Sequence, residues 1–172
     1  MVGFTRLRSA GTFRTATIAL LAVAALLAVG CGRKKYDNPI TKDTLQPDKV
    51  LFDKAIADME KGRYEVARIT LNTLINTYDS SEYLAKAKLA IADSWFREGT
   101  TSALLQAEVE YKDFQLFYPM MEESAEAQEK VCMIHYNMME KPDRDTKHAY
   151  RAEMECRDVL TRYPNSKFAP RA

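Results

Sequence analysis

A chain of 172 residues with 25 basic and 24 acidic side chains has a net charge of only +1, which excludes the basic excess of a nucleic-acid binder. Glycine and proline are sparse, at six each. Abundant Ala, Leu, Lys, Glu and Met favour helix, and the length suits one domain behind a leader.

The leader comes first. Arg6, Arg8 and Arg14 precede an uncharged run from Ala16 to Val29, and no acidic residue occurs before Asp37. That run falls short of the roughly 20 apolar residues of a membrane-spanning helix. A basic start, a short apolar stretch and small residues before a cut site predict a secretory signal over residues 1–30. The run ends in Ala28-Val29-Gly30-Cys31, which resembles a bacterial lipobox and places cleavage between Gly30 and Cys31. Cys31 is then the lipid-attachment site, bearing a diacylglycerol and an acylated N-terminus. At about 0.8 kcal/mol per buried CH₂, several chains hold a protein on a membrane. The plainer readings are an ordinary signal with an incidental cysteine, or an uncleaved anchor. Gly32 stands where the lipoprotein sorting rule would place Asp for inner-membrane retention, so it favours the outer membrane. No cofactor beyond this covalent lipid is expected.

Cleavage removes three arginines and no acid, leaving a slightly acidic chain. Residues 31–47 hold Arg33-Lys34-Lys35, Asn38-Pro39 and Gln46-Pro47, with little to bury. They read as a flexible tether whose basic triplet is a weak headgroup contact.

A helical repeat is expected over residues 48–165. Tyr78, Tyr118 and Tyr163 recur, and Ala67, Ala107 and Ala152 precede them at a constant spacing. Leu71, Tyr111 and Cys156, then Leu74, Phe114 and Val159, fill the intervening turns. This spacing puts each set on one helical face. A small Ala admits a neighbouring helix, and Pro119 and Pro164 stop the helix after its Tyr. An earlier helix precedes each: one before Gly62, one over 83–97 before Gly99, and one over 124–139 before Lys141-Pro142-Asp143-Arg144-Asp145, with Asp145 as the next N-cap. The fold class is therefore all-α, a tetratricopeptide-repeat-like solenoid of three helix–turn–helix units at about 48–79, 81–119 and 122–164. Residues 166–172 read as the start of a truncated fourth unit.

Such arrays bind along the face of the first helix in each unit. The register puts Phe52, Ile56 and Met59 there in unit one and Lys86, Asp93 and Arg97 in unit two. An apolar patch among mixed charges suits an extended client. The alternative is that Phe52, Ile56 and Met59 pack on a neighbouring helix or the tether. Cys132 and Cys156 fall at similar height if a hairpin turns near Asp143. They either pair in an oxidising compartment or sit as two buried thiols, the latter being preferred.

No catalytic set emerges, and an enzyme is not expected. His135 and His148 lack metal-ligand partners at usual offsets, so no metal is expected, and no phosphate loop or nucleophile elbow occurs. The pairs Glu108/Glu110 and Glu122/Glu123 read as solvated faces. Arg144 is read as solvated and His148 as a first-turn residue.

The run Asp143-Arg144-Asp145-Thr146-Lys147-His148-Ala149, followed by Leu160-Thr161-Arg162-Tyr163-Pro164-Asn165-Ser166, resembles the third-repeat region of the BamD (YfiO, ComL) lipoprotein family. Gly62, Tyr64, Ala67 and Tyr78 fit its first repeat, and lipobox, tether and repeats come in the same order. The resemblance implies an outer-membrane lipoprotein of the β-barrel assembly machinery, anchored on the periplasmic face. It implies contacts with the POTRA domains of a BamA-like barrel component, with unfolded outer-membrane protein clients and with other assembly lipoproteins. A periplasmic repeat scaffold for envelope or division machinery is the alternative.

Overall fold

The computed structural model describes residues 40, 45–141 and 143–172. These residues belong to one unit, 39–172. The leader, Gly30, Cys31 and most of the tether lie outside the described residues.

Six α-helices and no strand occur among the described residues: α1 Pro47–Glu60, α2 Tyr64–Thr77, α3 Leu84–Glu98, α4 Thr101–Phe117, α5 Glu123–Asn137 and α6 Lys147–Arg162. Each packs on the next in chain order, and α1 also touches α3. This is the connectivity of a tetratricopeptide-like array. Pro47, assigned to the tether by sequence, is the first helical residue of α1, a position where its missing N–H has no helical partner to lose. No helix among the described residues is long and apolar enough to cross a membrane.

Local chemistry sets the turns. Gly62 and Gly99 both have φ of +72°, a conformation that a Cβ would strain, and each closes the hairpin of its unit. Thr100 caps α4 by accepting the Ala103 N–H at 3.2 Å. The third hairpin has no glycine. There the Asp145 carboxylate accepts the Lys147 N–H at 2.8 Å. Thr146 holds the N-cap position itself, so Asp145 serves α6 from one residue further out than the sequence suggested.

The turn out of each unit recurs almost bond for bond. Tyr78, Tyr118 and Tyr163 end α2, α4 and α6, and their N–H groups donate to Leu74, Phe114 and Val159. Their carbonyls then accept from Ser81, Met121 and Ser166, whose own carbonyls accept from Leu84, Ser124 and Ala169. Leu84 and Ser124 lie at the starts of α3 and α5. Ala169 begins a short 3₁₀ turn, Ala169–Arg171, at the corresponding place, with Phe168 and Ala169 buried.

The signature face is the core. Ala67, Leu71 and Leu74 are fully buried with Leu51, Ala55, Met59 and Ala87 in a first cluster among α1, α2 and α3. Ala107, Tyr111 and Phe114 are buried with Ala92, Ala127, Val131 and Ile134 in a second among α3, α4 and α5. At roughly 1.5–3 kcal/mol for each large apolar side chain, these two clusters hold the first five helices together.

The sixth helix is attached differently. It buries only Ala152 and Val159. Polar groups supply the rest of its seat. Lys112 Nζ bridges Glu108 and Glu155 at 2.8 Å each, and Gln128 donates to the Glu155 carboxylate at 2.8 Å. His135, fully buried on α5, faces His148 of α6 with their Nδ1 atoms 3.2 Å apart. Burial alone would raise the Glu108 carboxyl; the Lys112 ammonium and His135 outweigh it and hold the group below the usual range. Burial keeps the His135 imidazole below its ordinary value. Glu108, expected on a solvated face, is instead buried, with His135 of α5 at 3.4 Å and Arg151 of α6 at 3.7 Å.

A covalent bond completes the seat. Cys132 and Cys156 form a disulfide from α5 to α6, with Cα atoms 4.9 Å apart. The preferred reading of two buried thiols gives way to a bridge, because the hairpin brings the two helices into register at this height.

Cys132→Ser is expected to lower unfolding free energy by about 3 kcal/mol, the usual scale for a loop of this size. Hydrogen exchange should quicken in α6 while α1, α2 and α3 keep their protection.

Candidate functional site

A pocket of about 210 Å³ opens where α1, α3, α4 and the start of α5 meet. Phe52 and Ile56 of α1 form one wall, and Ala85, Lys86, Leu89, Ala90 and Asp93 of α3 form another. Phe114 of α4 and Met121 and Glu123 of the next turn and helix line it as well. Small side chains at Ala85 and Ala90 leave room that Leu or Phe would fill.

The pocket wall is fixed from behind. Tyr111 is fully buried and its hydroxyl donates to the Asp93 carboxylate at 2.5 Å. Burial and the neighbouring Asp93 charge keep the Tyr111 phenol well above its ordinary value, so it stays a donor throughout the physiological range. Phe96 meets the Tyr111 ring edge-on at 6.4 Å. At the other end, Phe52 packs against Tyr83 with ring centroids 5.3 Å apart, and the Lys86 ammonium lies 5.6 Å from the Tyr83 ring.

The structure thus brings Phe52, Ile56, Lys86 and Asp93 around one space, with contributions from two units. Met59 does not join them. It is 4% exposed and belongs to the first core cluster, because it lies one turn before Gly62, where α1 and α2 converge. Arg97 is exposed and stands outside the pocket lining, at the far end of α3. Leu89, Phe114 and Met121 were not anticipated. Phe114 was assigned to the core by its periodicity, and nothing local marks Met121, which is carried to the pocket by the turn after Tyr118.

A pocket of this size is smaller than the roughly 300–1,000 Å³ of sites that enclose a small molecule. Its apolar floor, with one ammonium and two carboxylates at the rim, suits one or two side chains of a longer polypeptide. Arg144 is exposed and pairs with Glu140 at 3.7 Å, away from this site.

Comparison with known proteins adds a family. The model of the YfiO family, described as outer membrane lipoprotein, matches residues 45–172. The chain is 25% identical over 167 residues to the outer membrane protein assembly factor BamD of Xylella fastidiosa (strain 9a5c), covering 92% of this chain and 56% of that one. It is 24% identical over 156 residues to the protein of the same name from Rickettsia prowazekii (strain Madrid E), covering 90% and 59%. The chain spans about half the length of the curated relatives it matches.

Tyr111→Phe is expected to cost about 2 kcal/mol in urea unfolding, the scale of a hydrogen bond to a charged group. Asp93→Asn, which keeps an acceptor for the phenol, should cost less.

Proposed function

The chain belongs to the YfiO outer-membrane lipoprotein family, and from that we propose that it is a helical-repeat adaptor in the assembly of outer-membrane β-barrel proteins. In this reading it works by binding. The observation that carries it is the pocket shared by Phe52 and Ile56 of one unit and Lys86 and Asp93 of the next. A site spanning two units engages an extended chain along the array, taking apolar side chains into the floor. An unfolded β-barrel client has such alternating apolar side chains and no core of its own to hide them.

The lipid at Cys31 holds the adaptor at the outer membrane on its periplasmic face, and residues 31–46 give the repeats reach. The same reading extends to a BamA-like barrel component with POTRA domains and to other assembly lipoproteins as standing partners. The disulfide between Cys132 and Cys156 is in keeping with an exported protein, since such bonds persist in oxidising compartments.

Binding of a fluorescent peptide from the C-terminal strand of an outer-membrane β-barrel protein tests the pocket. Phe52→Ala and Ile56→Ala should each weaken it about tenfold, the scale of one lost apolar contact. Arg97→Ala, outside the pocket, should leave it unchanged. Equal affinity in both pocket variants would remove this site as the client site. Co-purification from membranes without a POTRA-bearing partner would point instead to an envelope or division scaffold.

A further inference from the structure

The histidines of this chain number two, and the fold brings both to one place at the junction of α4, α5 and α6. His135 is fully buried, and its Nε2 makes no hydrogen bond of good geometry. A buried nitrogen left with only a long contact calls for an explanation. That nitrogen points at Glu108, with Nε2 and Oε1 3.4 Å apart. Glu155 of α6 completes a group whose three ligand atoms lie within 4.8 Å of one another.

We infer that Glu108, His135 and Glu155 bind a zinc-class divalent cation, for which the Lys112 ammonium is the internal competitor. Metal–ligand bonds of about 2.0–2.2 Å at tetrahedral angles put neighbouring ligand atoms roughly 3.3–3.5 Å apart, the spacing of Glu108 and His135. One imidazole nitrogen with two carboxylate oxygens suits zinc and its transition-metal neighbours better than calcium or magnesium, which take oxygen ligands alone. A solvent molecule takes the fourth position.

The surroundings orient these ligands as metal sites require. In the tautomer that would take a metal, His135 donates from Nδ1 to His148 Nδ1, which leaves the Nε2 lone pair toward Glu108. Gln128 donates to the second Glu155 oxygen at 2.8 Å and fixes that carboxylate. The disulfide anchors both backbones, because Cys132 lies one turn before His135 and Cys156 follows Glu155. Its sulfurs are spent in the bridge, so the ligands are nitrogen and oxygen.

Lys112 decides the affinity. Its ammonium sits 2.8 Å from both Glu108 and Glu155, and Arg151 lies 3.7 Å from Glu108. The Lys112 side chain is 46% exposed on a flexible stem, so it can swing to solvent when a dication takes the two carboxylates. The bound ion would tie one helix of the second unit to both helices of the third.

The test uses the full chain in detergent, oxidised, tag-free and carrying Cys31→Ser, titrated with zinc by calorimetry and with cobalt by visible absorption. One equivalent should bind this parent protein, with the intense absorption of four-coordinate cobalt. Lys112→Met should tighten zinc binding about tenfold by removing the competitor, and Glu155→Gln should weaken it about tenfold or more. His135→Gln should abolish it; if that variant does not fold, the other two carry the comparison. No zinc binding by the folded parent protein overturns the inference. So does binding that Glu155→Gln leaves unchanged, which would be adventitious. Binding confined to Lys112→Met also overturns it, since the lysine would then be the permanent cation of the cluster.

Discussion

The close approach of helices at Ala67 and Ala107 is the contact on which the array depends. Both side chains are fully buried, and a larger residue at either would push the helix of the preceding or following layer away. That approach places Leu71 and Leu74 in the first core cluster and Tyr111 and Phe114 at the corresponding helix positions in the second. The tyrosine turn then sets the direction of departure. Because the carbonyls of Tyr78 and Tyr118 accept from equivalent positions, α3 and α5 leave their turns in the same way. The pocket follows from this repetition, since it forms where α1, α3 and the start of α5 come to a common space.

The third unit obeys the same geometry with different forces. Ala152 and Val159 keep the register, but α6 is too polar to be held by apolar burial. Ion pairs between half-exposed groups contribute little individually, so the Lys112 bridges alone are a weak seat. The disulfide changes this by removing conformational freedom from the unfolded chain. The stability of the last hairpin therefore depends on the redox state of its surroundings, whereas that of the first two units rests on apolar packing. Buried polar groups at this junction add directional contacts between the helices, from Gln128 to Glu155 and between His135 and His148.

Legibility in the sequence followed the range of the interaction. The periodic Ala, Leu or aromatic, and Tyr positions were readable because one helix face repeats every few residues; the Ala, Leu and aromatic positions of the first two units are core, and the closing tyrosines are half-buried at its edge. Phe52, Ile56, Lys86 and Asp93 were readable as a face for the same reason. Met59 shares that stripe yet is buried, since the stripe does not record where α2 closes over the end of α1. Glu108 read as solvated because its neighbours in sequence do not show that His135 and Arg151, from later helices, come to it. The histidines looked unrelated because neither stands at a ligand offset from the other.

By itself the sequence determined the helical class, the succession of helical hairpins, the glycine turns of the first two and the tyrosine turns that end all three. These are local matters, set by side-chain period and by backbone conformations that neighbouring residues impose. Only the tertiary structure decided which residues of the binding stripe meet in one pocket, that Cys132 and Cys156 bond, and that Glu108, His135 and Glu155 converge. Each joins residues of different helices. Their meeting depends on how those helices cross, and a crossing is set by the summed packing of whole faces rather than by any short run of the chain.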